Sequence, residues 1–474
     1  MRITNGIMIN NSLNNINRNK VLSDKLNTQL ATTKKIQRPS EDPIVAIRAL
    51  RLRSTYNEIN QYLDCNIPDA RSWMQTTQEA IESINSVLTE VSYYCNQGVN
   101  GYNTVEERNT LITTLEQLRE QIFSDGDADL VDRTIFTGYK TDSTLTFQDS
   151  EPETRYSITQ EFTMNDVKNT NRIFGLDIET IQNVAGSSIY NNQQHVIYLA
   201  YDEIDTIDTI TIGDSTYTLE KRSTADNSVY MTVGNNTIAY VEETGEVLLG
   251  ENAFNALSTG GSITINYQKT GFNKGDLRPE HYFTCTNHAK DVSYTKEDQP
   301  INYTINFNQT IRINTQAQDV LPHGIWRDLD EIINSVRVAV DVQTKINSLK
   351  KRLETEANET TVENINYMLE VLDLEMAYAE DNMKNCFSEG IDDYKDHQEA
   401  LSIELSDIGA RLIRLSLNED RLTAQKLNVE DLKSKNEEIE EEEVAVEWAA
   451  AQAVYDASLA TAAKVVQKSL LDFL

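Results

Sequence analysis

Five histidines (His195, His281, His288, His323, His397), four cysteines (Cys65, Cys95, Cys285, Cys386) and a large excess of carboxylates are the side chains here that could bind a metal, attack a carbonyl or move a proton. Their spacing speaks against each of those chemistries. No histidine falls in H-E-x-x-H, the spacing that sets two imidazoles on one helix face around zinc. None pairs with a nucleophile motif. The cysteines are scattered, with no C-x-x-C pair, and read as four reduced or incidental thiols. Gly260-Gly261 reads as a turn, because no phosphate-cradling glycine loop follows a strand. The carboxylates are so many that no pair of them stands out. The expectation is a protein with no catalytic, cofactor-binding or metal-binding residues, and not an enzyme.

Composition narrows the remaining classes. The 474 residues carry 42 Lys and Arg against 75 Asp and Glu, a net charge of −33. Nucleic-acid phosphates need clustered Lys and Arg, so nucleic acid is an unsuitable partner. The acidity serves solubility, or spacing between like-charged subunits in a packed array. No stretch approaches the roughly 20 apolar residues of a membrane span. The opening MRITNGIMINNSLNNINRNK lacks the apolar core and small-residue cleavage site of a signal peptide. The chain is expected to stay in the cytoplasm, or to leave by a route that keeps its N-terminus uncut.

Proline and glycine divide the chain into three parts. From Leu329 to Leu474 there is no Pro and only two Gly, Gly390 and Gly409, the pattern of long helices. Between Lys140 and Arg327 lie 11 of the 18 glycines, among alternating apolar and polar residues, the pattern of short strands. A second helical region precedes them. There Asp42 can cap a helix that Pro43 opens, and Pro68 predicts a kink near Asn66. A further helix is expected from about Thr104 to Phe123. In the centre, Ile210 and Ile212, Gly213-Asp214, then Tyr217 and Leu219 read as a hairpin. Val229 to Val241 is expected to turn at Gly234-Asn235-Asn236, and Ala239 to Leu248 at Thr244-Gly245. Two heptad runs, Val362 to Cys386 and Leu401 to Val429, are expected to break near Gly390-Ile391. The acidic run Asn436 to Glu443 reads as a solvated linker, or as the acidic first turn of the last helix.

Both ends carry apolar stripes. Val444, Trp448, Ala451, Tyr455, Ser458, Ala462, Val465 and Ser469 recur in alternating steps of four and three. Such a helix has one face to bury. Ile9, Leu13, Ile16, Leu26 and Leu30, with Trp448, Tyr455, Leu459, Ala462, Val466 and Leu470, are the candidate assembly interface. Packing of these residues within one chain is the competing arrangement. The fold expected is mainly α with an inserted β domain, its N- and C-terminal regions paired in a long-helix coiled-coil bundle. Residues 1–42 and 436–474 would form the terminal helices, 43–139 and 326–435 a helical rod, and 140–325 a β-rich outer domain.

Several segments carry a resemblance. Met1-Arg2-Ile3-Thr4-Asn5, the run Lys35 to Pro43 (KIQRPSEDP), Tyr62 to Trp73, Thr134 to Asp142 (TIFTGYKTD), Ile301 to Asp319, Ile408 to Arg411 and the ending Ser458 to Leu474 resemble the flagellin superfamily, and within it the hook-associated junction proteins. Thr32-Thr33-Lys34 departs from the family's Ser-Gly pair, and the region from about Val362 to Ala400 looks longer than usual. The resemblance implies a structural subunit of the bacterial flagellum, located outside the cell and exported unfolded through the flagellar type III channel. It implies a ring between hook-associated protein 1 and flagellin, with neighbouring copies of itself as partners. A cytoplasmic export chaperone would cover the C-terminal helix beforehand. The nearest alternative is flagellin, the filament subunit. A secreted adhesin with a β ligand-binding module is more distant.

Overall fold

The computed structural model describes residues 5–101, 104–174, 190–212, 217–226, 229–356 and 358–471. The N-terminal helices are α1 (Asn5–Thr32), α2 (Pro43–Gln61), α3 (Ile67–Val99) and α4 (Val105–Gly126). Then come β1 (Glu151–Phe162), β2 (Lys168–Phe174), β3 (Tyr190–Tyr198), β4 (Thr206–Ile212), β5 (Thr218–Arg222), β6 (Thr237–Val241) and β7 (Glu246–Leu249). A short helix, α5 (Glu251–Ser258), precedes β8 (Ile263–Phe272), β9 (Thr284–Asn287), β10 (Val292–Tyr294), β11 (Asn302–Asn306) and β12 (Gln309–Arg312). The chain closes with α6 (Ala317–Val320), α7 (Gly324–Thr355), α8 (Glu359–Glu437) and α9 (Glu441–Leu471). The fold is mainly α with an inserted β-rich part. Among the described residues no helix is long and apolar enough to cross a membrane.

Helix starts follow local chemistry. Asp42 Oδ1 accepts from the Ile44 and Val45 amides at 3.0 and 3.1 Å. Thr104 and Glu107 form a reciprocal capping box at α4. Pro68 has no amide hydrogen to give the Asp64 carbonyl. The chain absorbs this with a π turn, Tyr62–Asn66, where the Ile67 amide reaches the Tyr62 carbonyl.

Two compact units emerge. The first draws on residues up to Asp69, on Thr304–Ile311 and on residues from Ile413 onward. It holds α1, α2, most of the β11–β12 hairpin, the end of α8, and α9. The hairpin lies beside the π turn: Asn66 Nδ2 donates to the Thr304 carbonyl at 2.7 Å, and the Tyr62 and Phe307 rings meet edge to face at 5.6 Å.

The second unit spans Ala70–Tyr303 and Arg312–Leu412. Its helical core is built from one face of each long helix: Ile81, Ile84, Leu88 and Val91 of α3, Leu111 and Leu115 of α4, Leu329, Ile333 and Val336 of α7, and Ile365, Leu372 and Met383 of α8. Its strands make two five-stranded sheets, ordered β10-β9-β1-β8-β4 and β2-β3-β7-β6-β5. In the first, Ile263, Ile265 and Tyr267 of β8 are fully buried, as their alternation requires. In the second, β6 and β7 pair as expected, from Ile238↔Leu249 to Val241↔Glu246, and Gly245 turns at φ +66°. Glu246 is buried and bonded by Arg172 at 2.6 and 3.0 Å. Burial works against its ionised form, but the Arg172 charge and hydrogen bonds outweigh it and hold the carboxyl below its ordinary range.

Three expectations are corrected. Ile210 and Leu219 do not share a hairpin: β4 pairs antiparallel with β8 in one sheet, and β5 pairs parallel with β6 in the other. The connecting residues 213–216 lie outside the described residues. Turn chemistry predicts a local reversal, whereas sheet membership depends on distant partners. Residues 229–233 are turn and loop, not strand. Gly390 breaks nothing, because α8 runs through it for 79 residues, about 120 Å at 1.5 Å per residue. The glycine serves close helix contact instead: a Cβ there would stand 2.8 Å from Ile332 Cδ1.

Gly98 of α3 is tighter still, since a Cβ would lie 2.5 Å from the buried Phe387 ring of α8. Gly98→Ala is expected to destabilise the chain by about 1–3 kcal/mol through overpacking, despite alanine's better helix propensity. Urea unfolding checks this, and adding Phe387→Leu should recover part of the loss.

Candidate interaction surface

The residues with catalytic potential occupy separate settings. The His195 ring stacks on Phe254 at 3.7 Å, His288 Nε2 meets Ser157 Oγ at 2.7 Å, and His397 Nε2 meets Asp328 at 3.2 Å. Burial pulls His281 and His323 down to about 4. Burial also pushes the Cys95, Cys285 and Cys386 thiols up to about 12, so they stay protonated at neutral pH.

The terminal stripes do meet. α1 and α9 pair along their length. The pair is antiparallel: Asn19 Nδ2 donates to Ser458 Oγ at 2.9 Å and Ser23 Oγ to Gln452 Oε1 at 3.0 Å, so partners on α9 step back as α1 advances. On α1 the shielded positions are Ile9, Ser12, Ile16, Asn19, Ser23, Leu26 and Leu30, spaced three and four throughout. On α9 they are Val444, Trp448, Ala451, Tyr455, Ser458 and Ala462. These are the heptad spacings of a coiled-coil seam.

Seven of the eleven candidate interface residues therefore lie on the intrachain seam, namely Ile9, Ile16, Leu26, Leu30, Trp448, Tyr455 and Ala462, and only Leu26 among them is buried outright. Leu13 and Leu459 point away from it, 52% and 43% exposed. The side chains of Val466 and Leu470 lie outside the described residues. The polar seam members Ser12, Asn19 and Ser23 escaped a reading that followed apolar residues alone, although their spacing marks them.

The seam is anchored where the chain's two connectors meet. The Lys35 amide donates to the Glu437 carbonyl at 2.8 Å and the Ile439 amide to the Thr33 carbonyl at 3.1 Å, making a short antiparallel bridge. Lys35 Nζ reaches the Lys435 carbonyl at 2.6 Å, and Asn436 Nδ2 the Val45 carbonyl at 3.1 Å. Beneath the bridge the buried Glu437 carboxylate accepts both Arg53 donors, at 2.8 and 2.5 Å, with Lys34 Nζ at 3.8 Å. This corrects the reading of the acidic run as solvated: its second member is buried and paired, while Glu441, Glu442 and Glu443 occupy the first turn of α9. Hydrogen bonds from Ser434 and Lys34 hold the neighbouring Glu438 carboxyl low. Arg53, Lys34 and Glu437 carried no sequence signal, since ion pairs between distant segments leave no periodicity.

Arg53→Met would leave Glu437 buried with only Lys34 near it. The Lys35 and Ile439 amides are then expected to exchange with solvent roughly tenfold faster or more, equivalent to at least about 1.4 kcal/mol of local opening. Hydrogen–deuterium exchange measures this, with α3 amides as the unchanged reference.

Comparison with known proteins bears on this N-terminal part. Residues 3–141 match the model of the bacterial flagellin N-terminal helical region. Flagellar hook-associated protein 3 of Salmonella typhimurium is 28% identical over 152 residues, covering 30% of this chain and 45% of that protein. Flagellin of Clostridium tyrobutyricum is 28% identical over 122 residues, covering 26% and 32%. The matched segment thus spans less than half of either relative. A crystal structure of hook-associated protein 3 from Legionella pneumophila aligns over 81% of this chain and 97% of its own, at 11% identity and a TM-score of 0.33, a likeness too loose to bear on the fold. Over residues 3–141 the chain is thus similar to the N-terminal helical region of the bacterial flagellins, in agreement with the resemblance read from its residues.

Proposed function

We propose that this chain is a structural subunit of the bacterial flagellum that forms the junction ring between hook-associated protein 1 and the flagellin filament. Neighbouring copies are its lateral partners. It passes the type III channel unfolded, with a chaperone on its C-terminal helix, and its terminal helices order as they assemble.

One observation carries the reading. The α1–α9 pair shields a single seam, three of its seven α1 members polar, and leaves Leu13, Leu22, Val454 and Leu459 open to solvent. Isolated helices are marginal in water. A two-helix ribbon with a polar seam gains little apolar burial to offset its backbone entropy, about 1–2 kcal/mol per residue. Neighbouring subunits would supply the missing area. The seam and the outward residues thus play different parts: the first pairs the chain with itself, the second receives its neighbours.

Leu459→Asp tests this division. Because Leu459 lies off the seam, the variant is expected to keep the wild-type thermal unfolding profile yet fail to incorporate into flagella. Normal incorporation would sink the proposal. The Clostridium relative favours flagellin as the second reading. A deletion strain separates the two under electron microscopy: loss of a junction subunit leaves bare hooks with flagellin in the medium, and loss of the filament subunit leaves no flagellin at all.

A further inference from the structure

Within the second unit, one cluster of charges joins the inner end of strand β2 to helices α7 and α8. Lys168, the first residue of β2, bonds Glu389 of α8 at 2.7 Å and lies 4.0 Å from Asp393, one turn further on. Arg327 of α7 reaches Asp166, just before β2, at 3.2 Å, its neighbour Asp328 at 3.4 Å and Glu331 at 3.8 Å. His397 of α8 closes the group on Asp328 at 3.2 Å. Further along β2, Asn382 of α8 donates to the Asn171 carbonyl at 3.1 Å.

The charges do not balance. Five carboxylates (Asp166, Asp328, Glu331, Glu389, Asp393) face two permanent cations, Lys168 and Arg327, and one imidazole. Glu331 is the least supported: its side chain is 12% exposed, and both of its cations are shared, Arg327 with two aspartates and Lys168 with Glu389 and Asp393. The other groups facing it are equally unhelpful to a negative charge. Asp328 and Glu389 repel it, and the Cys386 thiol of α8 and the Tyr198 phenol of β3 lie within its field. A buried carboxylate without adequate pairing holds a proton instead.

We propose that this cluster is a proton-dependent clamp, in which a proton on Glu331 lets the remaining charges pair and hold β2 against α7 and α8. Burial, only partly offset by Lys168 and Arg327, pushes the Glu331 carboxyl up to about 8. A carboxyl raised in the folded state contributes stability that is complete below its unfolded range near 4.5 and is lost as pH rises through about 8. The clamp therefore keeps its proton at neutral pH but weakens steadily as pH rises toward about 8, above which Glu331 is ionised and competes with Asp166 and Asp328 for Arg327.

Hydrogen–deuterium exchange on the full chain tests this. After correction for intrinsic rates, protection of the β2 amides is expected to fall by roughly tenfold between about pH 6 and about pH 9, while α3 amides hold theirs. Glu331→Gln, which keeps the shape without the charge, should retain β2 protection at the higher pH. Glu389→Gln, which removes the charge opposite Lys168, should lower protection at both pH values, as a merely structural contact would. Protection of β2 independent of pH in the wild-type chain, or an alkaline loss that persists in Glu331→Gln, would overturn the clamp.

Discussion

The first unit depends on the short bridge between the two connectors. Residues 33–35 follow α1, and residues 437–439 precede α9. The chain is joined there by two backbone hydrogen bonds and one buried carboxylate. This junction sets the register of everything beyond it. With Thr33 opposite Ile439, the antiparallel helices bring Ser23 to Gln452 and Asn19 to Ser458. A shift of one residue would rotate the α1 stripe by about 100° and turn its shielded side outward. Glu437 makes such a shift costly, because its carboxylate is satisfied only where Arg53 of α2 stands beside it.

The seam is weak by composition. Asn19 and Ser23 hydrogen-bond across it where leucines would bury more apolar area. Polar seam residues specify register and partner at the expense of stability. Apolar residues also remain on the outer faces of α1 and α9, among them Leu13, Leu22, Val454 and Leu459.

The second unit is built on the opposite principle. Long helices approach closely at Gly98 and Gly390, and full-length apolar faces interlock. Its polar interior is dense with ion pairs, among them Arg172–Glu246 and the cluster around Arg327. Buried ion pairs hold geometry more than they add stability. In this unit they position strands against helices, where apolar contact alone would permit sliding.

By itself the sequence determined the helical and strand-rich stretches, the caps at Asp42 and Thr104, the disturbance before Pro68 and the heptad spacing of both ends. Each of these is local: it rests on neighbouring residues, turn chemistry or a repeat of three and four. Tertiary structure decided what local rules cannot reach. It placed β4 and β5 in different sheets, because strands choose partners across the whole chain. It carried α8 through Gly390, because a missing side chain can mark a close neighbour as well as a break. It buried Glu437 in an acidic run that reads as solvated, because Arg53 arrives from a helix nearly 400 residues earlier (384 in the chain). It also divided the terminal stripes into an inner seam and outward residues, because which side of an amphipathic helix is covered depends on the partner that meets it.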